Sequence, residues 1–200
     1  GHRYISTRRP ERAVADFERA YALMPKDVTE LEPDGIPNAI GQPLSNTQFN
    51  VLYHLALAHY LRGDFAEAEA VWRECLEYSP NPDLLVATTD WLYMALRRQG
   101  KDAEAAAVLE PITPELEVVE NDAYLKRLRM YRGELSVDAL FETDADDRAL
   151  ALATQGYGVA NWYLYNGDPD RAAALRLEIV DTGACAAFGY IAPEDAEVRL

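Results

Sequence analysis

The chain has 200 residues, 49% hydrophobic and 26% charged, enough for one or two globular domains and unlike a disordered or fibrous protein. Its 34 acidic residues against 19 basic give a formal charge of -15, which repels phosphate backbones and anionic membrane surfaces. No stretch reaches the roughly 18–20 consecutive apolar residues of a membrane helix, so insertion of this chain in a bilayer is not expected.

The chain opens at Gly1-His2-Arg3-Tyr4, which reads as the middle of a helix. No basic-then-apolar leader stands there, and the gene product is expected to start earlier. Ala13-x-x-x-Phe17, Ala20 and Pro25 form the stripe of a following helix. Nine positions before Ala13 stands Tyr4, where an aromatic of the preceding helix belongs, and Gly1 falls where a small residue belongs. Residues 1–25 therefore read as a partial repeat. The segment 26–45 is rich in Pro and Gly, and a loop of that length in a compact domain is usually functional or disordered. Ile36, Ile40 and Leu44 are expected to tack it onto the helices.

Full units are expected at about 46–80, 86–117, 119–146 and 147–182. Gly63, Gly100, Gly133 and Gly167 mark them, 37, 33 and 34 residues apart, each in a polar-Gly-charged string. A helix that stops and lets the chain double back often ends in a positive-φ residue, which Gly adopts without strain. In the first full unit Leu52-x-x-Leu55-Ala56-x-x-His59 precedes the turn, and Phe65, Ala68-x-x-x-Trp72, Cys75 and Pro80 follow it. Leu92, Tyr93 and Leu96 precede Gly100, and Ala105-x-x-x-Leu109 and Ile112 follow. Val159, Ala160 and Tyr163 precede Gly167, with Ala172 and Ile179 after it. The unit around Gly133 is irregular, with Arg129 in an aromatic position and a short second helix near 136–142; the last unit carries Arg176 in place of a large apolar residue. Residues 183–200 read as a helix capping the final hairpin, ended or kinked by Pro193.

This pattern resembles the tetratricopeptide repeat, W-x-x-L-G-x-x-Y, then A-x-x-x-F, then P. The resemblance covers about 1–182 and implies an all-α fold, a right-handed α-solenoid of roughly five stacked hairpins, none able to bury its apolar side alone. The order of segments from YRGELSVDAL (131–140) through the acidic loop 142–147 to Asn166-Gly167-Asp168 is also similar to the NlpI-like lipoproteins of bacterial envelopes. That likeness implies a non-catalytic adaptor, with the bacterial envelope or periplasm favoured over the cytoplasm.

In the tetratricopeptide family the first helix of each hairpin lines a concave binding surface. The register carries this property to Asn50, Tyr53, Leu57, Tyr60 and Leu61; to Asp90, Met94, Arg97 and Arg98; to Arg127, Met130 and Tyr131; and to Tyr157, Asn161, Leu164 and Tyr165. Tyr, Met and Arg are enriched at interfaces, so the expectation is a groove with an aromatic floor and an arginine spot for a protein or peptide partner of acidic or C-terminal character. The competing reading is that the tyrosines pack the hairpins and the arginines pair with the scaffold's own carboxylates. The Lys/Asn/Arg clamp by which some such scaffolds grip a C-terminal carboxylate is absent, since Tyr53 and Leu57 occupy its positions. A homodimer, a regulatory or oligomerisation role within a larger enzyme, and glycan stacking on Tyr53, Tyr60, Tyr157 and Tyr165 are the alternatives.

Chemistry is otherwise sparse. His54 and His59 lie five apart, off a common ligand face, and Asp144, Asp146 and Asp147 lack the calcium-loop alternation. Cys75 and Cys185, 110 positions apart, read as two buried reduced thiols or a single disulfide. No GxSxG, P-loop, GxGxxG or HExxH string occurs, and no catalytic residue, metal or cofactor is expected.

Overall fold

A computed structural model of the protein describes residues 1–32, 38–142 and 148–182. Ile36, the acidic loop from Asp144 to Asp147, Cys185 and the capping helix expected over 183–200 lie outside these. Ten helices occur among the described residues, and the only β feature there is an isolated bridge, Leu31 to Asn46. The chain divides into two compact units, Gly1–Leu125 and Lys126–Leu200. In the first are α1 (His2–Ser6), α2 (Pro10–Leu23), α3 (Thr47–Arg62), α4 (Phe65–Glu77), α5 (Pro82–Arg98), α6 (Asp102–Ala107) and the start of α7 (Asp122–Tyr131). The second continues α7 and adds α8 (Val137–Leu140), α9 (Arg148–Tyr165) and α10 (Pro169–Asp181). Helices adjacent in sequence pack on each other from α1 through α6, and again from α8 through α10. The fold is all-α, of tandem antiparallel hairpins.

The hairpin turns share one hydrogen-bond pattern. Gly63, Gly100, Gly133 and Gly167 have φ of 88°, 71°, 75° and 81°. At each, the glycine N–H bonds the carbonyl three residues back, and the next N–H bonds the carbonyl five back: Asp64 to His59 (3.0 Å), Lys101 to Leu96 (3.0 Å), Glu134 to Arg129 and Asp168 to Tyr163 (both 2.9 Å). This is the Schellman closure, which satisfies two orphan carbonyls of the ending helix. A fifth copy joins α1 to α2, with Arg8 N–H on Ile5 O (3.0 Å) and Arg9 N–H on Tyr4 O (2.8 Å). There the left-handed residue is Arg8, at φ 53°. Tyr4 thus occupies the register position of His59, as the nine-residue offset from Ala13 predicts.

The alanines that register singles out, Ala13, Ala56, Ala68, Ala105, Ala160 and Ala172, are all fully buried. A Cβ at Gly1 would lie 2.4 Å from the Phe17 ring, so the small-residue position there is also real. The centre of the first unit is a set of rings. Trp72 and Trp91 stack with centroids 5.9 Å apart and planes 17° apart, and Tyr60 stands edge-on to Trp91 at 5.4 Å. Trp72 is wholly enclosed, so α3, α4 and α5 share one aromatic core. At its edge the Glu69 carboxylate, on α4, receives Lys101 Nζ (2.6 Å), Arg73 Nε (2.9 Å) and Gln99 Nε2 (2.9 Å), tying α4 to the turn after α5.

Two second helices are short, α8 as expected and α6 against expectation. α6 ends at Ala107 rather than running through Leu109, because the ring of Pro111 clashes with a helical carbonyl four residues earlier. Leu109 and Ile112 are buried all the same, carried by turns. α8 is a single turn capped by Ser136, whose Oγ accepts from Ala139 N–H at 3.3 Å.

The described part of the Pro/Gly loop is ordered by polar side chains, not by the apolar contacts expected. Gln48, fully buried, donates to Pro25 O (2.9 Å) and Val28 O (2.6 Å) and accepts from Glu30 N–H (3.2 Å). Asn46 and Asn81, the N-caps of α3 and α5, use their remaining amide N–H groups on Tyr78 O (2.9 Å) and Leu44 O (2.8 Å). Of the described aliphatics expected to pin the loop, Leu44 is half-buried but Ile40 is 50% exposed. The reason is that irregular backbone needs partners for its own N–H and C=O groups, which aliphatic side chains cannot supply.

Two stability changes follow. An added Cβ at Gly100 meets nothing within 4 Å, so Gly100→Ala carries backbone strain alone and should cost about 1–2 kcal/mol in urea unfolding. Arg8→Gly should go the other way by up to about 1 kcal/mol, the relieved strain less the extra chain entropy of Gly. Trp72→Ala, by contrast, opens the shared core and should cost about 3–5 kcal/mol.

Candidate interaction surface

The first helices are far more enclosed than a binding wall would be. On α3 the run 55–61 is buried throughout, and on α5 so is 86–96. Tyr53, Leu57, Tyr60 and Met94 are 6%, 0%, 3% and 1% exposed, and Leu61 and Asp90 are buried with them. Tyr60 belongs to the aromatic core. Tyr53 stacks on Phe49 at 5.3 Å and shares a 2.9 Å hydrogen bond with the Tyr124 hydroxyl. Burial pushes the Tyr53 phenol well above its ordinary range. The half-buried Asn50 donates to Glu32 and to Ser45 Oγ, and so serves the loop.

The arginines have separate fates. Arg97 is half-buried, ion-paired with Asp102 Oδ1 (Nε to Oδ1 2.9 Å) and donating through Nη1 to the Tyr93 hydroxyl (2.8 Å). Arg98 is exposed, its guanidinium 4.8 Å above the Phe65 ring. Arg127 is buried and donates to Thr154 O and to Gln155 Oε1 (3.2 Å) on α9. The expected groove set is therefore corrected: Arg127 is an interior tie between α7 and α9. Met130, Tyr157 and Asn161 are likewise buried, Met130 in a small core with Leu140 and Val159. Asn161 Oδ1 accepts from Arg176 Nη2 at 3.2 Å, which explains the polar residue in place of an apolar one on α10. Tyr131, Leu164 and Tyr165 are half-buried. Sugar stacking needs an open ring face, which the enclosed Tyr53, Tyr60 and Tyr157 do not offer.

Sequence reading overlooked Gly156 and Gly158. Each costs an α-helix interior about 1 kcal/mol relative to Ala, and that cost is the signal that something passes close. A Cβ at Gly158 would lie 2.5 Å from Arg127 Cδ and 2.6 Å from the Tyr131 hydroxyl. At Gly156 it would lie 2.8 Å from Ile179 on α10. α9 is thus pared down on two faces to admit its neighbours. It also overlooked Asp83, a buried carboxylate on α5 that accepts the N–H groups of Val119 (2.9 Å), Glu120 (2.7 Å) and Asn121 (2.8 Å) and fixes the approach to α7.

The histidines are packing groups. His54 stacks on Phe17 at 5.6 Å and is bonded through Nδ1 to Asn50 O (2.8 Å). Burial holds its pKa down at about 4, and burial lowers His59 as well. Burial pushes the Cys75 thiol up to about 12, which makes it a poor nucleophile. No group of three or more His, Cys, Asp or Glu residues able to hold a metal occurs among the described residues. No described helix is long and apolar enough to cross a membrane.

Compared with known proteins, residues 49–82 match the tetratricopeptide repeat family. The match runs from the first turn of α3, through α4, to the first residue of α5. Repeats of this family mediate protein–protein interaction. No curated protein matches the chain.

Gly158→Ala should force Arg127 and Tyr131 aside and cost about 1–3 kcal/mol, measured by denaturant unfolding. A pH series probes His54. Its folded pKa lies below the unfolded value of 6.5, so its contribution is complete above that pH and is lost as the pH falls from 6.5 towards about 4. His54→Gln should flatten the fall in melting temperature over that window, leaving the smaller share of His59.

Proposed function

We propose that the protein is a non-catalytic interaction scaffold that captures a protein segment of acidic or C-terminal character at the end of α5, through Arg97 and Arg98. The observation that carries this reading is the state of those two side chains. In a chain of charge -15, Arg98 stands exposed on the Phe65 ring while Arg97 is braced by Tyr93 and Asp102 beside it. A cation held in place by an aromatic face loses little rotamer entropy when a carboxylate docks, and Arg can grip that carboxylate with two parallel N–H bonds. In the second unit the half-buried Tyr131 and Tyr165 are the accessible members of the same family-derived set.

The setting in a bacterial envelope complex is supported by the likeness of 131–168 to NlpI-type lipoproteins in segment order. A lipoprotein signal upstream in the gene, with the protein in the membrane fraction, would bear on it directly. For the binding reading, Arg97→Glu with Arg98→Glu should abolish capture of the native partner from the source organism while the far-UV circular dichroism stays the same. Capture at the original level would refute it. Arg127 is left out of the test because its replacement would disturb the core of the second unit.

A further inference from the structure

Seven large hydrophobic side chains stand exposed among the described residues, and four of them lie in two connecting segments of the first unit. Val28, Leu31 and Ile40 are 57%, 65% and 50% exposed between α2 and α3; Val119 is 41% exposed between α6 and α7. These segments meet. Asn38 Nδ2 donates to Glu120 Oε1 at 2.6 Å and to Gln42 O at 2.7 Å, joining the far half of one loop to the end of the other. Both are fastened to the same edge of the hairpins, the N-terminal ends of α3 and α5, through Gln48, Asn81 and Asp83. Glu32 N–H on Ser45 O (3.1 Å) and Thr47 N–H on Glu30 O (2.8 Å) complete the fastening. Aliphatic side chains that could have held the loop down are left facing solvent, on backbone that buried polar groups already hold.

The charge around them is one-sided. Described residues of the two segments carry seven carboxylates and one cation, Lys26, which is itself paired with Glu74 at 3.4 Å. Acidic residues alternate with the aliphatics: Asp27 beside Val28, Glu30 and Glu32 beside Leu31, Glu117 and Glu120 near Val119. Polyanions are repelled from such an edge, and a second copy of the chain would bring the same sign of charge. A free polyamine would match the charge but leave the aliphatics unused.

We propose that this edge docks a basic segment of a partner protein in which Lys or Arg is interleaved with Leu, Ile or Val. The aliphatics supply the contact area and the carboxylates the steering, and because the backbone is already pinned little ordering is required on docking. The site is independent of the arginine pair on α5, and the two are separable by experiment.

The test uses a short fluorescent peptide alternating Lys and Leu, with Lys–Ser and Glu–Leu peptides as controls, read by anisotropy. The Lys–Leu peptide should bind, more tightly as salt is lowered, and the Lys–Ser peptide about tenfold more weakly or worse. Val28→Ser with Leu31→Ser, and separately Ile40→Ser with Val119→Ser, should each weaken Lys–Leu binding about tenfold. Arg98→Glu should leave it unchanged. On the unaltered protein, a photoreactive Lys–Leu peptide should cross-link to 28–32, 38–42 and 117–120. Equal binding of the Lys–Leu and Lys–Ser peptides with no effect of the serine variants would reduce the edge to general acidity and overturn the proposal. So would cross-links that fall elsewhere, or a concentration-dependent dimer in sedimentation that the serine variants abolish, since a second copy would then be the occupant.

Discussion

Trp72 and Trp91 lie nearly parallel, with Tyr60 turned edge-on, and three helices depend on that contact. Each ring comes from a different helix, so the first full hairpin and the helix after it cannot separate without exposing all three. A hairpin of this repeat type has one apolar side per helix and gains stability only by passing it to a neighbour. Here the transfer is made by rings, whose large buried area and preference for stacked or edge-on geometry also fix the angle at which α5 settles. With Tyr60 in this core, a position that the repeat register assigns to a binding wall is enclosed instead.

The loops show the complementary rule. Hydrogen bonds within a helix satisfy its interior backbone, but a Pro/Gly-rich segment crossing helix ends has to find outside partners for its own N–H and C=O groups. The fully enclosed Gln48 and the half-buried Asn81 are such partners, and the buried Asp83 does the same for the segment 119–121. Asn46 and Asn81 each do double duty: the side-chain oxygen caps a helix while the amide nitrogen holds a loop carbonyl. Shape in this part of the molecule is therefore set largely by polar groups, and Val28, Leu31, Ile40 and Val119 are left exposed.

How far the amino-acid sequence could be read differs between these levels. Turn glycines and the alanines at fixed offsets from them were legible because each answers a local constraint, a positive φ or a helix pressed close. Arg8 was not, since a left-handed residue other than Gly or Asn leaves no compositional mark; only the register through Tyr4 and Ala13 points to it. The early end of α6 could have been seen in Pro111. The binding face was the least legible. Whether Tyr53 is wall or core is decided by Tyr124, 71 residues away. The fate of Arg127 is decided by the missing side chain of Gly158. Such pairings have no period, and a rule that assigns faces by register alone cannot contain them.

Charge connects the interior to the surface. The protein has few cations, and several are committed inside or at helix junctions: Arg127 to the backbone of α9, Arg73 and Lys101 to Glu69. Glu69 shows how firmly they are used, for burial would raise its pKa and the donors from Lys101, Arg73 and Gln99 more than reverse that. Cations spent on the scaffold's own carboxylates and carbonyls cannot neutralise the remaining acids, so the accessible surface is more one-signed than a count over the whole chain conveys. On such a background a partner distinguishes places by what interrupts the field. An exposed arginine on a ring is one interruption, and aliphatic side chains on a pinned acidic edge are another. On the binding reading proposed above, selectivity then comes from a few departures from uniform charge, each held still by packing that the repeat alone does not specify.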